Sequence, residues 1–158
     1  MNILQINTID TKGGASKVGY TLKRLFETEG HATSMFVKLK YSSDKNVFVA
    51  KWPNPLSSLL KKITGKDIGS FLANKIRPLL SNDIDFFGSD HILHTKEFQE
   101  ADVIHCHNLH GNYFKLSTLT KISKLKPIVW TLHDMWAITP HCAHAFDEKI
   151  RNGFFDCP

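Results

Sequence analysis

Three short segments carry the groups that could do chemistry: Lys12-Gly13-Gly14-Ala15-Ser16, His105-Cys106-His107-Asn108-Leu109-His110-Gly111, and Thr131-Leu132-His133-Asp134-Met135-Trp136. The glycine pair admits a ligand to the backbone where a Cβ would block it, and a helix starting there would favour an anion. Such a pair also serves as a plain strand-to-helix turn, and it matches neither the Gly-x-Gly-x-x-Gly dinucleotide fingerprint nor the Walker loop. His133 is a titratable side chain followed at once by the carboxylate of Asp134 and near the indole of Trp136, a grouping expected beside a substrate. His105 reads instead as a core histidine that bonds a loop carbonyl. The chain has nine histidines, but their spacing does not make a helical His-Glu-x-x-His site. Cys142 and Cys157 lack partners at zinc-finger spacing. No metal or other cofactor is expected. A metal-dependent hydrolase built on His105, His107, His110 and His133 is the third and least favoured reading of these residues.

These segments need elements to hold them, and the pattern of apolar residues supplies those elements. Asn2 to Asn7 suits a buried strand that runs into the loop Thr8 to Ser16. Val18, Leu22, Leu25 and Phe26 then mark one face of a helix, with Gly30 as its stop. Ala32 to Leu39 is the next strand, centred on Met35, Phe36 and Val37, so the chain opens as a βαβ unit. A short strand over Val47, Phe48 and Val49 precedes the breakers Pro53 and Pro55. Two helical patterns follow, one on Leu56, Leu59, Leu60 and Ile63 and one on Ile68, Phe71, Leu72 and Ile76. Asp83 to Ala101 shows only a weak pattern. Ala101 to His107 reads as a strand, Tyr113 to Lys124 as a helix with Leu116, Leu119 and Ile122, and Pro127 to Leu132 as a further strand. Strand alternation puts His105 and His107 on one side and Cys106 on the other. All three chemical segments thus fall at the carboxyl ends of strands, where open α/β sheets bind ligands.

Composition agrees with one globular domain: 158 residues, 42% hydrophobic and 22% charged. The net charge of +5 is too small an excess to argue for nucleic acid. It is concentrated between Lys51 and Leu80, where Lys51, Lys61, Lys62, Lys66, Lys75 and Arg77 face Asp67 alone. Helices of that composition are most often a solvated face, and they can also dock on anionic lipid. Three widely spaced cysteines argue for a reducing compartment, by default the cytoplasm. The N-terminus has no signal-peptide pattern, and no run approaches the ~18 apolar residues that would span a bilayer. The tail after Met135 has no clear period, and four or five strands are few for a doubly wound sheet, so the chain reads as part of a longer polypeptide or as a truncated reading frame.

Taken in order, the three segments resemble the N-terminal domain of family 4 glycosyltransferases, the retaining group with the two-domain GT-B fold. The resemblance covers nearly the whole chain. It rests on Met1-Asn2-Ile3-Leu4-Gln5-Ile6-Asn7 with Gly13-Gly14-Ala15, on Ala101 to Gly111, and on Thr131 to Ala137. It points to the bacterial branch that builds capsule, exopolysaccharide or other surface glycans. It implies an α/β, Rossmann-like parallel sheet with helices on both faces, residues 1–158 forming the acceptor-side half. The donor-binding C-terminal domain, which would hold the nucleotide sugar, is absent from the sequence. It further implies that Gly13 and Gly14 approach the donor diphosphate or the acceptor, and that His133 faces the transferring sugar as the catalytic histidine. His107, Asn108, His110, Gly111 and Asp134 are the expected substrate-binding residues. The implied partners are a nucleotide-sugar donor and a glycan or lipid-linked acceptor, with possible contact at the inner face of the membrane. Relatives of this branch tend to carry several cysteines after the His-Asp-Met-Trp stretch, and here Glu148 and Phe154 occupy places where cysteines are expected.

The rival from another class is a non-catalytic module that keeps the βαβ scaffold and grips a sugar or nucleotide. The central expectation is that strands near residues 2 to 7, 102 to 106 and 128 to 132 lie in the middle of the sheet, with Gly13, His107 and His133 at one edge.

Overall fold

The computed structural model describes residues 1–50, 89–111 and 113–138, together with the backbone of 150–151 and 154–155. Five strands form one all-parallel sheet: β1 (Asn2–Ile9), β2 (Ala32–Leu39), β3 (Val47–Val49), β4 (Val103–Cys106) and β5 (Ile128–Trp130), in the order β3-β2-β1-β4-β5. The connections carry α1 (Gly14–Thr28), a 3-10 turn at Ser89–His94 with the short α2 (Lys96–Glu100), and α3 (Leu116–Ser123). This is a Rossmann-like α/β fold. Ile150–Arg151 and Phe154–Phe155 form a small antiparallel pair. The two basic helical patterns between Leu56 and Leu80, and Cys142 and Cys157, lie outside the described residues. Among those described, no helix is long and apolar enough to cross a membrane.

Alternation along β1 gives the sheet two unlike faces. Leu4 and Ile6 stand level with Ile104 and Cys106 and pack with Ile92, Phe98, Leu109, Tyr113 and Ile122 into the main core. On the opposite face, Gln5 stands level with His105, and Gln5, Asn7, His105 and His107 are all buried. Parallel strands covered on both faces are ordinarily apolar throughout. Here the second face is apolar chiefly at β2 and β3, where Met35, Val37 and Val47 cluster against Tyr20, and at Ile3 near the start of β1.

That polar strip decides how α1 sits. The helix buries Ser16, Gly19 and Lys23, whereas Val18 and Leu25, two of the four residues that mark its apolar periodicity, are 46% and 52% exposed. Small residues bring the helix close to the histidines. Lys23 is fully buried, and its Nζ bonds Glu27 Oε1 at 2.6 Å and Asp44 Oδ2 at 2.7 Å, tying α1 to the turn before β3. Gly30, at φ 82°, stops the helix as expected.

Other boundaries shift for packing reasons. Tyr113 and Phe114 are core residues, so α3 begins at Leu116 rather than Tyr113. The weakly patterned stretch before β4 contains α2, capped by Thr95, whose hydroxyl accepts from the Phe98 N–H. β5 is not central: among the described strands it is an edge, paired with β4 alone, and Val129 is 53% exposed.

Candidate functional site

Because the sheet is wholly parallel, the loops after β1, β4 and β5 all leave from the same edge. Each is pinned by the fold. Asp10, fully buried, accepts from the backbone N–H groups of Thr11 at 2.8 Å, Tyr41 at 2.9 Å and Ser42 at 2.8 Å. Burial alone would raise its pKa, but the donors from Ser42, Tyr41 and Thr11 outweigh it and hold the carboxyl below its ordinary range. The loop carrying Gly13 and Gly14 is thereby fastened to the end of β2. Gly13 has φ 92°, a conformation that favours glycine, and there is open space where a Cβ would stand on either glycine. Gly13 also starts α1 with no side-chain cap, so no side chain of the N-cap residue satisfies the N–H groups of the first turn.

The loop after β4 is held from three sides. The Thr8 hydroxyl lies 3.0 Å from the Asn108 carbonyl and 2.9 Å from that of His110. Tyr113 donates to the Asn108 carbonyl, and the Trp130 indole N–H donates to the His107 carbonyl, both at 2.7 Å. Gly111, at φ 99°, closes the turn against Thr8, and its carbonyl accepts from Lys38.

On this frame four histidines are ordered. His105 Nε2 meets the Thr131 hydroxyl at 2.8 Å, a side-chain partner rather than the loop carbonyl expected. Its ring packs on His107 with centroids 4.2 Å apart, and His107 stacks on His133 at 5.2 Å. His107 Nδ1 lies 2.9 Å from His133 Nε2. His110 Nε2 meets Asp134 Oδ2 at 2.7 Å, while Asp134 Oδ1 accepts the Trp136 N–H. The His110 ring also packs against the Trp136 ring.

Burial dominates the electrostatics. It lowers the pKa of His107 to about 3, with help from His105 and His133. It also lowers His105, assisted by His133, and it lowers His133 against the opposing pull of Asp134. Each of these shifts favours the neutral ring. On the other face of β4, burial pushes the Cys106 thiol up to about 12, which leaves it inert.

The structure therefore brings His107, His110, His133 and Asp134 together at the edge, with Asn108 and Gly111 in the loop beside them. Gly13 and Gly14 open the neighbouring loop. His107, placed against substrate by the sequence, is fully buried and reaches the edge only through His133. The histidines are engaged with one another, with Thr131 and with Asp134, and among the described residues no group of three side chains could hold a metal ion. Asp10 and the Thr8 anchor were not foreseen. An aspartate just after a strand, before a glycine pair, is the signal that could have found the first.

A Rossmann-like sheet with a polar, histidine-lined edge is the class of protein that fold and site define. Over its whole length the chain is 28% identical to a protein of Escherichia coli (strain K12) named "Putative colanic acid biosynthesis glycosyl transferase WcaC", and it spans 40% of that protein's length. The chain is thus a distant relative of a bacterial glycosyl transferase. No protein-family model matches it, and no solved structure does.

Proposed function

We propose that the chain is the acceptor-side half of a retaining, GT-B type glycosyltransferase, which moves a sugar from a nucleotide sugar to a surface glycan or its lipid-linked precursor. The observation that carries this reading is the similarity along the entire chain to a glycosyl transferase. The polar edge of the sheet suits the chemistry. Departure of a nucleoside diphosphate leaves positive charge on the sugar ring. Fixed dipoles and hydrogen bonds at that edge can favour such a transition state without rearranging. In this reading His133 lies beside the reacting sugar, His110 with Asp134 and Asn108 hold hydroxyl groups of the acceptor, and the open backbone at Gly13 and Gly14 admits the phosphates or the acceptor.

Transfer needs donor and acceptor held together in near-attack geometry. This chain alone is accordingly expected to turn over no nucleotide sugar. In an enzyme carrying these residues with a donor-binding half, His133→Ala should lower kcat by the equivalent of a few kcal/mol, with little change in nucleotide affinity. Assays with labelled nucleotide sugars and glycan acceptors check both expectations. Turnover by the chain alone, or wild-type kcat in the variant, would overturn the assignment.

A further inference from the structure

We infer that His107 fixes the tautomer of His133, so that His133 offers its Nδ1–H as a donor at the sheet edge and is not a base there. The direction is set just inside the site, at Asn7. The Thr8 N–H donates to Asn7 Oδ1 at 2.8 Å, so the other end of the amide, Nδ2, is a donor. A Cβ built on Gly19 would lie 3.1 Å from that Nδ2 and 3.3 Å from His107 Nε2, so both atoms crowd the same point under α1. Both are buried, and neither has a hydrogen-bond partner among the described residues.

A neutral imidazole carries one proton. On His107 Nε2 it would be a buried N–H with no acceptor among the described residues, an arrangement costing about 1–3 kcal/mol. On Nδ1 it points at His133 Nε2, 2.9 Å away, and makes a hydrogen bond. The lone pair left on Nε2 then lies in a pocket whose other crowding polar atom is the Asn7 amide donor, a polarity that suits a lone pair better than an N–H. The proton of His107 belongs on Nδ1.

The consequence passes to His133. Its Nε2 must accept, so its own proton sits on Nδ1, a nitrogen with no protein partner among the described residues. His133 thereby presents an N–H to an oxygen lone pair, such as that of a sugar hydroxyl or a phosphate. His107 is a positioning residue, and the one-sided packing of Gly19 and Asn7 is what gives it direction. Only the identity of that oxygen rests on the reading as a glycosyltransferase.

Long-range proton–nitrogen NMR of the folded, nitrogen-labelled chain near pH 7.5 tests this without any substrate, so it stands or falls separately from the transferase reading. His133 should show a protonated Nδ1 and an unprotonated Nε2, the reverse of what free neutral histidine prefers, and His107 should show the same pattern. His107→Asn, which keeps an amide donor near the Nδ1 position, should leave the His133 resonances in place. His107→Leu, which removes the donor, should move the His133 proton to Nε2. A protonated Nε2 on His133 in the wild-type chain would overturn the inference, and that measurement needs no variant to fold. An unchanged His133 tautomer in folded His107→Leu would overturn it as well.

Discussion

The buried histidines make a stability prediction with a definite sign. His105, His107 and His133 all have folded pKa values below the ordinary 6.5. Their stabilising effect is therefore complete above about pH 6.5 and declines as pH falls, because the unfolded chain takes up protons that the folded chain refuses. Each such proton steepens the loss by about 1.4 kcal/mol per pH unit, and for His107 the decline ends near pH 3. Between about pH 6.5 and 4.5 these histidines outweigh the depressed carboxylates, whose protonation matters lower down. Urea midpoints across that range should fall steadily, and in His107→Asn the slope should lessen by about one proton. Asp10 offers a second check. Replacing it with Ala strands three backbone N–H groups and should cost roughly 3 kcal/mol, against about half of that for Asn, as measured by denaturant unfolding.

At the level of elements, α1 depends on two residues. Gly19→Val should press the side chain into Asn7 and His107, destabilising the fold by about 1–3 kcal/mol and shifting the ring resonances of His107. Lys23→Met would leave Asp44 and Glu27 without their buried cation, with an expected loss of about 2–3 kcal/mol in thermal or urea unfolding. The order of strands and helices could be read directly from the apolar runs, because Leu4, Ile6, Met35, Val37 and Ile104 are buried in the elements assigned to them. The three site segments could be read too, since each follows a strand. What could not be read was which face of α1 turns inward. Periodicity assumes an apolar floor, and the floor here is Gln5, Asn7, His105 and His107, which admits Gly19 and Ser16 instead of Val18 and Leu25. Strand alternation placed His105 and His107 together, but not the handover from His107 to His133, which depends on a loop bringing residues 26 apart in sequence into register.

For the whole molecule, the sheet order matters as much as the site. β1 is the middle strand, yet it is the first to be made, and its partners arrive at very different times. β2 follows within 40 residues, whereas β4 begins only at Val103. Until then a nascent chain holds β1 with one edge unpaired and Leu4 and Ile6 without Ile104 and Cys106 to cover them. Such non-local pairing is slow, and an open apolar edge invites association with other chains. Chains ended at residue 100 should accordingly aggregate or resist folding, and chains extended past Trp130 should recover both solubility and amide protection in β1, as followed by hydrogen exchange on stalled or truncated products. The same geometry that gathers three loops at one edge thus leaves the central strand half-paired during synthesis until the fourth strand has left the ribosome.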